Sequence, residues 1–420
     1  MEQRIVYRIN QIRKGNIPTG YTKTKDGIVP SDWTIKKMKQ WISLKERPVT
    51  LQDDADYELI TVRRAYGGVD SRGIYKGKEV LVKNYFFVEK DDFIISKRQI
   101  AHGACGLVSE ELQGAVVSNE YNVFKANEKT NIQFFNLMMQ LPHYKRLFFL
   151  MSDGVHIEKL LFKTGDWMNR SLAMPPLPEQ KKIAEILSAQ DKLIALKEKL
   201  IEEKKRQKKY LMQQLLTGKM RLPGFSGEWY TERLDDFCLF VGGGTPDTKN
   251  VEYWQGDIPW ISSSDLRSDD LYNVNTNRYI TNDAVQSSAT KKCPAGSILV
   301  VTRVGVGKVA IAPTELCTSQ DFTSVIQNKY DNMYIAYAIY WLMQEKSTQV
   351  QGSSIKGVPS KEFQNYTVHI PPINEQYAIV SVLSAIDREI DLLAHIIDQE
   401  KQKKKALMQL LLSGVVRVNV

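Results

Sequence analysis

Residues 175–221 read PPLPEQKKIAEILSAQDKLIALKEKLIEEKKRQKKYLMQQLLTGKMR, and residues 371–417 read PPINEQYAIVSVLSAIDREIDLLAHIIDQEKQKKKALMQLLLSGVVR. The two stretches lie 196 residues apart without a gap and agree at 22 of 47 positions. The chain is therefore an internal repeat, and the repeat decides its architecture. In each copy prolines stiffen the entry, an early glutamate suits the positive end of a helix dipole, and nothing breaks the helix until Gly218 or Gly414. The first copy predicts a helix over residues 179–217, about 58 Å long at 1.5 Å per residue. Its apolar dyads Ile186-Leu187, Leu193-Ile194 and Leu200-Ile201 recur every seven residues. The second copy continues the pattern through Ile379, Leu383, Ile386, Ile390, Leu393 and Ile397. This is the period of a coiled-coil seam. Both seams turn polar at one place, EEKKRQKK and DQEKQKKK, runs that suit subunit docking or solvation better than DNA contact.

Working outward, residues 33–173 carry short β-branched runs at 57–62, 79–82, 93–96 and 114–117, the pattern of a strand-rich domain. Phe134, Leu137, Met138 and Leu141 fall on one face of a helix that Pro142 interrupts. A second globular stretch occupies 222–370, with a strand at 297–304 and a helix at 333–344. A short helix and irregular lead-in, basic through Arg4, Arg8, Arg13, Lys14, Lys23 and Lys25, precede Trp33. That tryptophan is itself repeated as Trp229, again 196 residues on. The fold class is α+β: two globular domains (1–174 and 222–370), each followed by a long helix (175–221 and 371–420), with a pseudo-twofold internal repeat. A second exposed seam has no economical partner except the first, so the helices are expected to pair antiparallel.

The net charge of +9 permits a polyanionic partner without requiring one. The cysteines at 105, 238, 293 and 317 form no CxxC pair, the N-terminus lacks a signal-peptide core, and no stretch is apolar for about 20 residues. A cytoplasmic protein is expected. Catalytic motifs fail on inspection. Gly305-Val306-Gly307-Lys308-Val309-Ala310 leads into β-type residues rather than a helix, so it offers no dinucleotide site, and Val309 stands where a P-loop needs Ser or Thr. Met174 and Ile370 before the diprolines cannot hydrogen-bond the target amine of a flipped base, and the five histidines lack metal-ligand spacing.

The two globular stretches share a strand-ending pattern. Phe93-Ile94-Ile95-Ser96-Lys97-Arg98 parallels Ile298-Leu299-Val300-Val301-Thr302-Arg303, and Ser118-Asn119-Glu120-Tyr121 parallels Ser319-Gln320-Asp321-Phe322. With PPLPEQKKIAEILSAQD, LMQQLLTGKMR, their copies, GGGTPDTKN, YWQGDIPWISSSDL and RVGVGKVAI, the chain resembles the DNA-specificity subunits of type I restriction-modification enzymes over nearly its whole length. It departs from the repeat in its lead-in, which is longer than the linker from Arg221 to Trp229. The resemblance implies a non-catalytic subunit that reads a bipartite, asymmetric duplex site. It also implies two docked methyltransferase subunits and ATP-dependent restriction subunits, with S-adenosylmethionine, ATP and Mg²⁺ used by those partners and no cofactor or metal in this chain. The competing reading is a coiled-coil scaffold whose end domains bind proteins or other ligands.

Base edges call for Arg or Lys at guanine and Asn, Gln, Ser or Thr elsewhere. The candidates in the first domain are Arg63, Arg64, Tyr66 and Arg72 in a glycine-bounded loop, and Lys97, Arg98, Ser118 and Asn119 at strand ends. Those in the second are Ser262, Ser263, Ser264 and Asp265, with Arg303, Lys308, Ser319 and Gln320. Arg98 and Arg303 lead.

Overall fold

A computed structural model describes residues 2–24, 27–81, 84–154, 160–350 and 357–419. The chain divides into two compact units, Met1–Lys197 with Ile396–Val420, and Glu198–His395. The repeated stretches form helices Leu177–Leu215 (39 residues) and Ile373–Leu412 (40 residues), so each unit holds half of each helix.

In the first unit the helix halves are antiparallel. Gln190 donates to Glu400 at 2.7 Å and Lys404 meets Asp191 at 2.5 Å, while Ile183, Leu187, Ile194, Ile397 and Leu411 are buried. In the second unit Lys208 meets Asp387 and Lys204 meets Glu389, again with rising numbers facing falling ones. Of the dyads, the second member takes the seam: Leu187 and Ile194 are buried, whereas Leu193 and Leu200 face out. The basic run is thus largely spent inside the helix pair and on Asp269, the partner of Lys205, rather than on solvent alone.

The identities in the repeat have a mechanical reason. Gln180 accepts from the backbone N–H of Asn131, the residue that caps helix Ile132–Met139, and donates to Pro175 O. Gln376 does the same with Asp331 and Pro371, at the start of helix Asn332–Val350. Glu179 receives a two-point fork from Arg417, and Glu375 one from Arg221, so each copy's early glutamate binds the other copy's final arginine. Gly218 and Gly414 have φ of 69° and 71°, the left-handed turn that ends a helix, and lie against Trp229 and Trp33.

Each globular part is built around two larger sheets with one shared plan. In the first unit, one sheet runs in the order Cys105–Leu107, Phe93–Ser96, Tyr121–Ala126, Ile42–Leu44, all antiparallel. In the second, Val309–Ile311, Ile298–Val300, Thr323–Asn328 and Cys238–Gly242 take the same places. The other sheet centres on a parallel pair, Val116–Ser118 with Asp56–Val62 in one unit and Leu316–Thr318 with Ile258–Ile261 in the other. The central strand is buried on both faces, which is why it reads as an unbroken apolar run. Phe93 and Ile95 join the helix-side core with Phe124, Phe135 and Trp167, whereas Ile94 joins Ile60, Val117 and Val123. Ile298 and Val300, against Leu299 and Val301, repeat that alternation.

Three local expectations change. The expected strand at 79–82 is a 3₁₀ turn, Gly77–Glu79, followed by irregular backbone at Val80 and Leu81. Gly77 sits so close to Gln52 that a Cβ would come within 2.0 Å of its carbonyl oxygen, and Glu79 accepts from Lys76 N; residue 82 lies outside the described residues. Pro142 does not merely end a helix. It occupies the first turn of a new one, Pro142–Leu150, where its missing N–H costs nothing. The lead-in opens with the expected short helix, Glu2–Arg13, but the stretch expected to be irregular holds a hairpin, Tyr21–Thr24 with Gly27–Pro30, and both belong to the first unit. Arg8 donates to Val415 O at 3.0 Å and Tyr21 to Gly414 O at 2.8 Å, tying the lead-in to the end of the second helix; Lys25 lies outside the described residues.

Candidate nucleic-acid interface

The matching strand ends are equivalent to the residue. Tyr121 pairs with Ser96, and Lys97 N donates to Glu120 O at 2.9 Å. Phe322 bridges Val301, and Thr302 N donates to Asp321 O at 2.9 Å. Arg98 and Arg303 therefore hold one position in one framework, and both are exposed.

Their surroundings differ. Arg98 donates from Nε to Glu120 at 2.6 Å and from Nη2 at 3.4 Å, a pairing that raises its pKa further. Lys97 is folded back, its Nζ on Asn119 O, while Asn119 is exposed and Ser118 half-buried. In the second unit Asp321 accepts from Ser319 Oγ at 3.1 Å, and Arg303 has no side-chain partner among the described residues. Ser319 is buried, so its hydroxyl positions Asp321 instead of facing outward. Gln320 is exposed and takes the Thr245 hydroxyl on Oε1. A cleft of about 480 Å³ gathers Arg303, Gln320, Thr302, Gly243 and Phe322. Gly243 is required there, since a Cβ would approach Ser319 O to 2.0 Å.

Tyr66 is packed back against the body of its unit. The hairpin tip donates from Ala65 N to His102 O and from Tyr66 N to Gly103 O, with φ of 55° and 59° at the two residues. The half-buried ring lies against Gly103, and its hydroxyl is buried with no hydrogen-bond partner among the described residues, so burial pushes its pKa up. Arg63 pairs with Asp70, Arg64 is exposed at the tip, and Arg72 is exposed on strand Val69–Lys76 rather than in the loop. The serine loop is likewise internally bonded. Asp265 accepts from Ser262 N at 2.7 Å, Ser262 and Ser264 share a hydroxyl contact, and Lys308 Nζ donates to Ser263 O at 2.7 Å. Arg278, absent from the sequence candidates, binds Ser262 and Asp265 and lies 4.6 Å from the Trp260 ring centroid. Only strand register reveals it, because Trp260 and Arg278 are direct cross-strand partners.

The four thiols are free and, among the described residues, no group of His, Cys, Asp and Glu could hold a metal ion. A model of the type I restriction modification DNA specificity domain matches the chain twice, over residues 30–206 and 226–402, offset by the same 196 as the repeat. The chain belongs to the type I restriction-modification DNA specificity family. It is a non-catalytic specificity subunit, the component of such an enzyme that selects the DNA sequence while catalysis lies in other subunits. It shares 26% identity over 425 residues with the putative type I restriction enzyme MjaX specificity subunit of Methanocaldococcus jannaschii, covering 95% of this chain and 97% of that one. With the EcoR124I/EcoR124II specificity subunit of Escherichia coli it shares 32% over 252 residues, 54% of this chain and 60% of that one. Among solved structures, a chain from a study of complex assembly and conformational transition of the type I R-M system has a TM-score of 0.61 at 18% identity, covering 92% of this chain and 99% of that chain. The type I restriction-modification S subunit from M. genitalium has a TM-score of 0.52 at 12% identity, with 92% and 96% covered. These two likenesses concern the fold alone. No helix among the described residues is long and apolar enough to cross a membrane.

Proposed function

We propose that this subunit reads a split, asymmetric duplex site, one half with each globular domain (residues 1–174 and 222–370), and carries methyltransferase subunits on its two spacer helices (175–221 and 371–420). The observation that carries the reading is the repeated sheet end with different side chains on it: Lys97, Arg98 and Asn119 in one unit, Arg303 and Gln320 in the other. One framework bearing two sets of hydrogen-bonding groups suits a target whose halves differ. Two equivalent helix copies suit two methyltransferase subunits, and outward leucines supply apolar surface for them: Leu193 and Leu196 in the first unit, Leu200 and Leu392 in the second. Restriction subunits join that assembly, and S-adenosylmethionine, ATP and Mg²⁺ are used by the partners.

Arg303→Ala in the assembled enzyme is expected to cost about 1–3 kcal/mol at one base of one half-site and to relax preference there. Replacing a lysine at a phosphate contact weakens all sequences alike. Binding to duplexes carrying each single-base change reads this directly, and unchanged affinity and preference for Arg303→Ala would remove it from the reading surface. The same titration at several salt concentrations separates DNA recognition from a protein scaffold, since phosphate neutralisation makes affinity fall steeply with salt.

A further inference from the structure

The acids at equivalent places, Glu120 and Asp321, differ by one methylene and by what holds them. Asp321 is turned onto Ser319, and Arg303 has no side-chain partner among the described residues. Glu120 is long enough to reach Arg98 and closes a two-point fork with it. Both members are about half exposed, at 53% and 46% of their side chains. An exposed pair of this kind contributes on the order of 0–1 kcal/mol to stability, so the fold has little need of it. What it determines is the chemistry offered at the sheet end. Arg303 presents donors only. Glu120 presents an acceptor: a carboxylate has about four lone-pair sites, and the Arg98 fork occupies two. Arg98 also offsets the charge that would otherwise repel phosphates, with Lys97 beside it bound to Asn119 O.

We infer that Glu120 is a specificity-determining residue of the first half-site, its carboxylate accepting an exocyclic amine of cytosine or adenine in the major groove while Arg98 holds it in place. A carbonyl edge, O6 of guanine or O4 of thymine, meets an acceptor there and is rejected. This inference rests on the proposal that these sheet ends face DNA.

The test is the base preference of the assembled enzyme, measured on a duplex library randomised across both half-sites, for the natural protein, Glu120→Gln and Glu120→Ala. An amide of nearly the same shape both donates and accepts, so Glu120→Gln is expected to reduce an amine-over-carbonyl preference of about 10- to 100-fold at one base pair to a few-fold. The second half-site stays unchanged. Glu120→Ala releases Arg98 and is expected to move that position toward guanine. If both variants keep the natural motif, or shift affinity equally for every sequence, Glu120 does not read a base. If the natural protein itself shows no split motif, the proposed function fails first, which is a distinguishable result.

Discussion

Asp387→Ala is expected to destabilise the second unit by about 3–5 kcal/mol, because it leaves a buried lysine without its counter-charge. Lys208 and Asp387 are 7% and 10% exposed, Tyr337 donates its hydroxyl to the same carboxylate at 2.6 Å, and the Tyr340 ring centroid lies 5.2 Å from the Lys208 ammonium. The repeat supplies an internal control. Asp191 and Lys404 are the same pair of residues in the first unit, but there the aspartate is 48% exposed. Asp191→Ala should therefore cost only about 0–1 kcal/mol. Thermal unfolding of the full chain measures both, with the Asp387→Ala transition lowered on the order of 10 °C. Equal losses at the two sites would mean that burial is not what distinguishes them.

Glu179→Ala should cost about 3 kcal/mol, the lower end for breaking a buried pair, because Asp32 keeps part of Arg417 engaged. Glu179 is 1% exposed, and its fork with Arg417 ties the start of the first helix to the segment after the second. The loss should be local. Hydrogen exchange is expected to rise in residues 413–419, whose Gly414 and Val415 carbonyls also anchor the lead-in. Protection there equal to that of the natural chain would show that Arg417 is held by Asp32 alone.

Much of this was legible because it is local and periodic. The seven-residue spacing placed the seam, and the shared strand-ending pattern, FIISKR against ILVVTR, paired Arg98 with Arg303 before any register was known. The seat of Tyr66 was not legible, for the opposite reason. Its loop looks open in sequence, yet Gly103, 37 positions later, makes room for the ring, and nothing near Tyr66 announces that. Ser319 likewise looks like a reader until strand pairing buries it beside Asp321.

The sequence by itself determined the duplication, the antiparallel seam and the two unlike copies of one sheet end, since each follows from spacing or residue pattern along the chain. Only the tertiary structure decided which charges are committed. Whether an arginine is bound or available depends on the reach of an acid about twenty residues away, and whether a lysine is buried depends on aromatic rings brought in by another helix. Those are distances across the fold, and residue types in order do not contain them.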